Sequence, residues 1–142
     1  MIIDASVILS ALFPDEQQSQ SQAVIRDHVA GRISLVGPTL LSYELTNAVW
    51  QGVRRQRITM PQAEEILAVV DALHISLHEV SWQNNLSWAQ KFDRSAYDAA
   101  YLALAAERNE PLVTGDVRLY NAVKQGVDWI IWAGDYQSQI LL

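Results

Sequence analysis

The chain has 142 residues, half of them hydrophobic and 18% charged, the proportions of a globular domain with a core of its own. It contains no cysteine and no apolar run of bilayer length, which excludes a disulfide framework, thiolate metal sites and a helical membrane span. Two lysines and eight arginines face sixteen carboxylates, a net charge of −6, so nucleic acid is a plausible partner only if bound cations reverse the field around some of those acids.

No basic region precedes the apolar start MIIDASV, so no secretory leader is expected and the simplest location is the cytoplasm. Neither a repeat nor a linker interrupts the chain, and a single domain over 1–142 is expected. Met1–Asp4 reads as a short apolar strand, and Ser6–Phe13 as an apolar helical turn stopped at Pro14. Glu16–Ala30 is predicted as a polar-faced helix ending at Gly31, and Ser34–Val36 as a second strand closed by Gly37 and Pro38. Thr39 is the expected N-cap of a helix to about Arg55, and Thr59 with Pro61 opens another to about Leu73. Ile75–Val80 is the third strand, after which Ser81 caps a helix to about Phe92 and Ser95 caps one to about Arg108. Leu112–Thr114 is the fourth strand, Asp116 opens a helix to about Lys124, and Trp129–Trp132 is the last strand. Short, uniformly apolar strands alternating with helices predict an α/β fold, a parallel sheet with helices on both faces. Ligands of such sheets sit at the carboxyl ends of the strands, which is where Asp4 and Asp116 fall.

Four acids stand in surroundings that do not suit them. Asp4 is the only charge in the first fourteen residues. Alone it reads equally well as an N-cap, a task Ser6 can share. Glu44 lies three residues from Leu41 and four from Ala48, on the apolar face of LLSYELTNAVW, where a bare carboxylate is costly. The plain alternative is a boundary glutamate reaching water. Asp98 starts the most apolar helix, SAYDAAYLALAA, and Ser95-x-x-Asp98 also reads as a capping box. Asp116, in LVTGDVRLY, reads by itself as an N-cap. Taken together they are acids placed where strands end and helices begin, and grouped like charges destabilise a fold unless a cation offsets them. An all-oxygen donor set selects Mg²⁺ or Mn²⁺ over zinc. His28, His74 and His78 lack zinc-site spacing and are read as surface or structural.

DASVIL, LLSYELTNAV, SAYDAAYLALAAE and LVTGD, in this order and spacing over nearly the whole chain, resemble the PIN-domain family, and within it toxins of the VapC type. The resemblance implies a three-layer α/β/α sandwich with a central, mainly parallel sheet and a Mg²⁺- or Mn²⁺-dependent endoribonuclease. It implies an acidic metal-binding and catalytic quartet at Asp4, Glu44, Asp98 and Asp116, supported by the hydroxyls of Ser6 and Thr114. Val117, Arg118 and Leu119 follow Asp116, so no fifth acidic ligand is expected. The implied partners are an RNA substrate, a cognate antitoxin and a second copy of the chain in a homodimer, with no membrane. Arg118 is a candidate RNA contact. Arg54, Arg55 and Arg57 either meet phosphates or complement a helix dipole. Trp82, Trp88, Trp129 and Trp132 are read as core or dimer packing rather than base stacking. Rival readings are a non-catalytic binding module of the same fold and an RNA-maturation nuclease that is not a toxin. A receiver domain wants an acidic pair near Asp4 and a dehalogenase-like phosphatase a second aspartate at position 6; Ala5 and Ser6 supply neither.

Overall fold

Ile2, Ile3, Leu112 and Val113 are wholly buried although successive residues of a strand face opposite ways, so both faces of the sheet's centre are covered. The computed structural model describes residues 1–138; residues 139–142 lie outside it. The strands are β1 (Ile2–Ile3), β2 (Val36–Pro38), β3 (Ser76–His78), β4 (Leu112–Thr114) and β5 (Ile130–Trp132). All pair in parallel, in the order β3-β2-β1-β4-β5. The helices are α1 (Ala5–Leu12), α2 (Ser19–Val29), α3 (Leu40–Arg54), α4 (Met60–Ala72), α5 (Trp82–Phe92), α6 (Ala96–Arg108) and α7 (Val117–Val123). The architecture is the expected α/β one. The order reverses direction at β1, which lies between β2 and β4, so a crevice opens past the carboxyl ends of β1 and β4. Among the described residues no helix is long and apolar enough to cross a membrane.

Several element ends depart from expectation for local reasons. The second strand runs through Gly37 and Pro38 instead of stopping before them. β1 pairs with β2 only at Ile2↔Val36, so no neighbour on that side asks for the N–H that Pro38 lacks, while His78 pairs with it on the other. Helix α2 begins at Ser19, because Glu16 closes a turn onto the Phe13 carbonyl (3.0 Å) and Gln17 takes a left-handed φ of 45°. Thr39 does not cap α3 with its side chain: its own φ and ψ are −55° and −28°, already helical, and its carbonyl instead accepts from the Ser42 hydroxyl at 3.1 Å. Thr59 does cap, in a full box in which Thr59 Oγ1 accepts from the Gln62 N–H (3.2 Å) and Gln62 Oε1 accepts from the Thr59 N–H (2.8 Å).

Side chains outside the crevice fix the layers. His28 Nδ1 accepts from the Leu35 N–H at 3.0 Å and Nε2 donates to the Leu73 carbonyl at 2.6 Å, which ties α2 to the lead into β2 and the end of α4. Its role is structural. Asp27, 1% exposed, accepts from Arg32 (2.9 Å), Tyr136 (2.6 Å) and Ser138 (2.7 Å), so α2 is bound to the segment after β5. Trp88 packs on Phe92 and edge-on to Trp129, with ring centroids 5.9 and 5.7 Å away, as core packing requires. Trp82, 88% exposed, is not in the core.

Candidate active site

The end of β1 sets the first carboxylate. Asp4 leaves the strand with extended φ and ψ and N-caps α1, accepting from the Val7 N–H at 3.4 Å. It is also 6% exposed, and it accepts from Ser6 Oγ on Oδ1 and from Thr114 Oγ1 on Oδ2. The capping and site readings of Asp4 are therefore compatible. Burial pushes its pKa up to about 6 against the pull of the Ser6 and Thr114 hydroxyls, and the nearby Asp116 charge adds to the rise.

Asp116 stands across the crevice after β4. Its Oδ1 caps α7, accepting from the Arg118 and Leu119 N–H groups at 2.9 and 3.2 Å, while Oδ2 has no partner among the described residues. The loop that carries it is tied to Asp4's supports. Thr114 Oγ1 also accepts from the Asp116 N–H at 3.0 Å, and Ser6 Oγ accepts from the Gly115 N–H at 2.8 Å. Position 115 is tight, since a Cβ there would lie 3.2 Å from Ser6 Oγ and ask that hydroxyl to give by a few tenths of an ångström.

The other two acids come from helices. Glu44, half-buried on α3, accepts from the Tyr101 hydroxyl on Oε1 at 2.6 Å and keeps Oε2 free among the described residues. Burial raises its pKa, the Tyr101 hydroxyl lowers it, and the charge of Asp98 raises it further. Asp98 lies in the first turn of α6, whose N-terminus Ser95 caps by accepting from the Asp98 N–H at 3.1 Å. The predicted box is only half made, because the Asp98 carboxylate turns to Arg94, which donates from Nε and Nη2 to Oδ2 at 3.1 and 2.9 Å. Its Oδ1 is unengaged among the described residues.

The structure therefore brings the quartet together as two pairs, Asp4 with Asp116 and Glu44 with Asp98. Tyr101, buried between them, senses the charge of both Glu44 and Asp4, and burial first, its hydrogen bond to Glu44 second and these charges third raise its pKa. Among the described residues no three carboxylate or histidine side chains are drawn close enough to form a ready-made metal cage. The donors nevertheless suit a hard divalent cation: they are oxygens, and three of the four acids keep one oxygen unengaged. The hydroxyls of Ser6 and Thr114 orient Asp4 as outer partners orient a ligand.

Sequence reasoning missed Tyr101 and Arg94. The tyrosine sits in an apolar helix and reads as core, and Arg94 precedes the cap of α6, where nothing marks its direction. The arginine cluster divides: Arg54 lies in the last turn of α3, where it complements the helix dipole, whereas Arg57 is paired with Asp15 (2.6 Å) and Glu16 (2.8 Å) and lies over the Phe13 ring. Arg118 is exposed beside Asp116, touching it through its backbone N–H.

A model of the PIN domain matches residues 1–125. The chain belongs to the PIN-domain family. Within it, this PIN domain groups with the VapC proteins. One of Mycobacterium bovis, named VapC ribonuclease Mb0985, is 32% identical over 119 residues, covering 84% of this chain and 87% of that one. Ribonuclease VapC3 of Pyrobaculum aerophilum is 28% identical over 123 residues, covering 84% and 91%. The crystal structure of PAE2754 from Pyrobaculum aerophilum superposes with a TM-score of 0.71 at 22% identity, covering 94% of this PIN domain and 90% of that chain, a likeness of fold.

Proposed function

We propose that this PIN domain is a Mg²⁺- or Mn²⁺-dependent endoribonuclease and the toxin of a toxin–antitoxin pair. The observation that carries the reading is Asp4. It is a buried carboxylate held on both oxygens at the switch point of the sheet, with the charge of Asp116 near it and the Glu44–Asp98 pair linked to it through Tyr101. The names of the VapC relatives support the ribonuclease part. Asp4, Asp98 and Asp116 would hold the ion, and Glu44 would hold either the ion or the attacking water through its free Oε2. When bound, a divalent ion supplies Lewis acidity toward a phosphodiester and acidifies water. The chain's own residues do the positioning: Ser6 and Thr114 fix Asp4, Tyr101 turns Glu44, and the Gly115 N–H locks the loop of Asp116 onto Ser6. In-line attack would leave a 5′-phosphate and a 3′-hydroxyl.

Purified protein should cut single-stranded or looped RNA with Mn²⁺ or Mg²⁺, and EDTA should stop it. Glu44→Gln keeps the volume and an acceptor for Tyr101, and should lower the rate by about 10²-fold or more, the scale of losing one charge-stabilising group. Cleavage that persists in Glu44→Gln and Asp116→Asn belongs to a contaminant. Wild type that is as inactive as the variants makes the chain a binding module. The antitoxin we propose covers the acidic crevice with an arginine, whose fork matches paired carboxylates. Expression alone should arrest a bacterial host and co-expression with the cognate partner should relieve it. Harmless expression of intact protein would leave an RNA-maturation nuclease as the better reading.

A further inference from the structure

Beside the acidic site lies a cleft of about 660 Å³ that the mechanism does not use. Ser6 and Gly115 line it, so it adjoins the hydroxyl that holds Asp4 and the loop that carries Asp116. Trp132 forms part of its wall. The residue ends β5 in register with Thr114, which is the hydroxyl on Asp4, so the cleft and the site are neighbours on the same sheet edge. The indole is 37% exposed and does not belong to the buried core. Its place depends on Gly134, where a Cβ would come within 2.6 Å of the ring.

The remaining lining decides what the cleft can take. Gln18 and Gln20 contribute amides, while the hydroxyls of Ser10 and Ser21 are bonded to each other at 2.6 Å. Among the described residues no lysine or arginine lines it, and its one acid, Glu16, is paired with Arg57. A phosphate would find no counter-charge there. A flat, neutral group with hydrogen-bonding edges would find an aromatic surface and amides, in a volume typical of small-ligand sites. Nucleobases have that chemistry, and aromatic side chains hold unpaired bases by stacking.

We infer that this cleft binds an unpaired base of the RNA next to the bond that is cut, stacked on Trp132 with its edge toward the Gln18 and Gln20 amides. The inference rests on the ribonuclease reading, which makes RNA the ligand, and it assigns Trp132 a role in substrate choice rather than in packing.

The test is steady-state cleavage of single-stranded RNA oligonucleotides in Mn²⁺, with a set in which each nucleotide around the cut bond is replaced in turn by an abasic one. Trp132→Ala should raise KM about tenfold or more with kcat little changed, the scale of losing one base stack, and Trp132→Phe should regain most of the loss. Gly134→Ala, which keeps the indole but pushes it aside, should raise KM as well. One abasic position should cost the wild type as much as Trp132→Ala does, and should cost Trp132→Ala nothing more. Equal thermal midpoints show that a variant is folded, and the abasic scan of wild type and Trp132→Phe stands if Trp132→Ala is not. Unchanged KM in folded Trp132→Ala, or an abasic penalty that is the same with and without the indole, overturns the base site while leaving the nuclease standing. Wild type that cuts none of the oligonucleotides overturns both.

Discussion

Asp4 is asked to be a carboxylate where little water reaches it, and that has a measurable cost. Its pKa in the folded chain lies near 6, above the ordinary aspartate value, so between about pH 4 and 6 the folded form holds a proton that the unfolded form has released. Without metal, Asp4 therefore weakens the fold as pH rises through that window and adds no further change above it, by at most about 3 kcal/mol. Urea unfolding in EDTA at pH 4.5 and pH 7 should show this fall in wild type. In Asp4→Asn the fall should be smaller by Asp4's share, and an identical pH dependence in the two proteins would refute the assignment. The four candidate acids were legible in the sequence only as a set, since Asp4, Asp98 and Asp116 each read alone as a helix-start residue. What surrounds them was not. A tyrosine like Tyr101 signals core whether or not its hydroxyl reaches Glu44, and Arg94, although four residues before Asp98, lies ahead of the helix, where that spacing does not by itself set a pair.

Helices show where local rules suffice and where they are overruled. Ser81, Ser95 and Thr59 cap as expected because an N-cap needs only the residues beside it. Thr39 has the same chemistry and does not cap, since the backbone leaving β2 has already turned helical there. Asp27 lay hidden for the opposite reason: it sits in a polar-looking helix, and its partner Tyr136 is 109 residues away. Removing that carboxylate would leave the buried Tyr136 hydroxyl without its acceptor. Asp27→Ala should therefore lower stability by roughly 2 kcal/mol or more while leaving metal binding intact, since α2 supplies no member of the quartet. Loss of the metal response together with stability would instead mean that α2 shapes the crevice.

At the scale of the whole molecule, the buried apolar strands β1 and β4 made the parallel sheet readable although β3 (Ser76–His78) is largely exposed, but strand order was not, because pairing is settled by packing between distant segments. The order matters for the metal proposal, since it alone puts Asp4 beside Asp116. A ligand that binds only the folded chain raises its melting temperature, by roughly 5–10 °C at a hundredfold excess over Kd for a domain of this size. Mn²⁺ should produce such a rise in wild type, and Asp4→Asn/Asp98→Asn should abolish it. An equal rise in the double variant would place the ion elsewhere. The same topology also sets a clock. The hydroxyl on Asp4's Oδ2 belongs to Thr114, 110 positions later in the chain, and Asp116 follows that. Synthesis runs at roughly 5–20 residues per second, so the nascent chain spends several seconds with its first carboxylate made and its catalytic crevice unbuilt. That interval lets a partner already present meet the chain before the crevice closes.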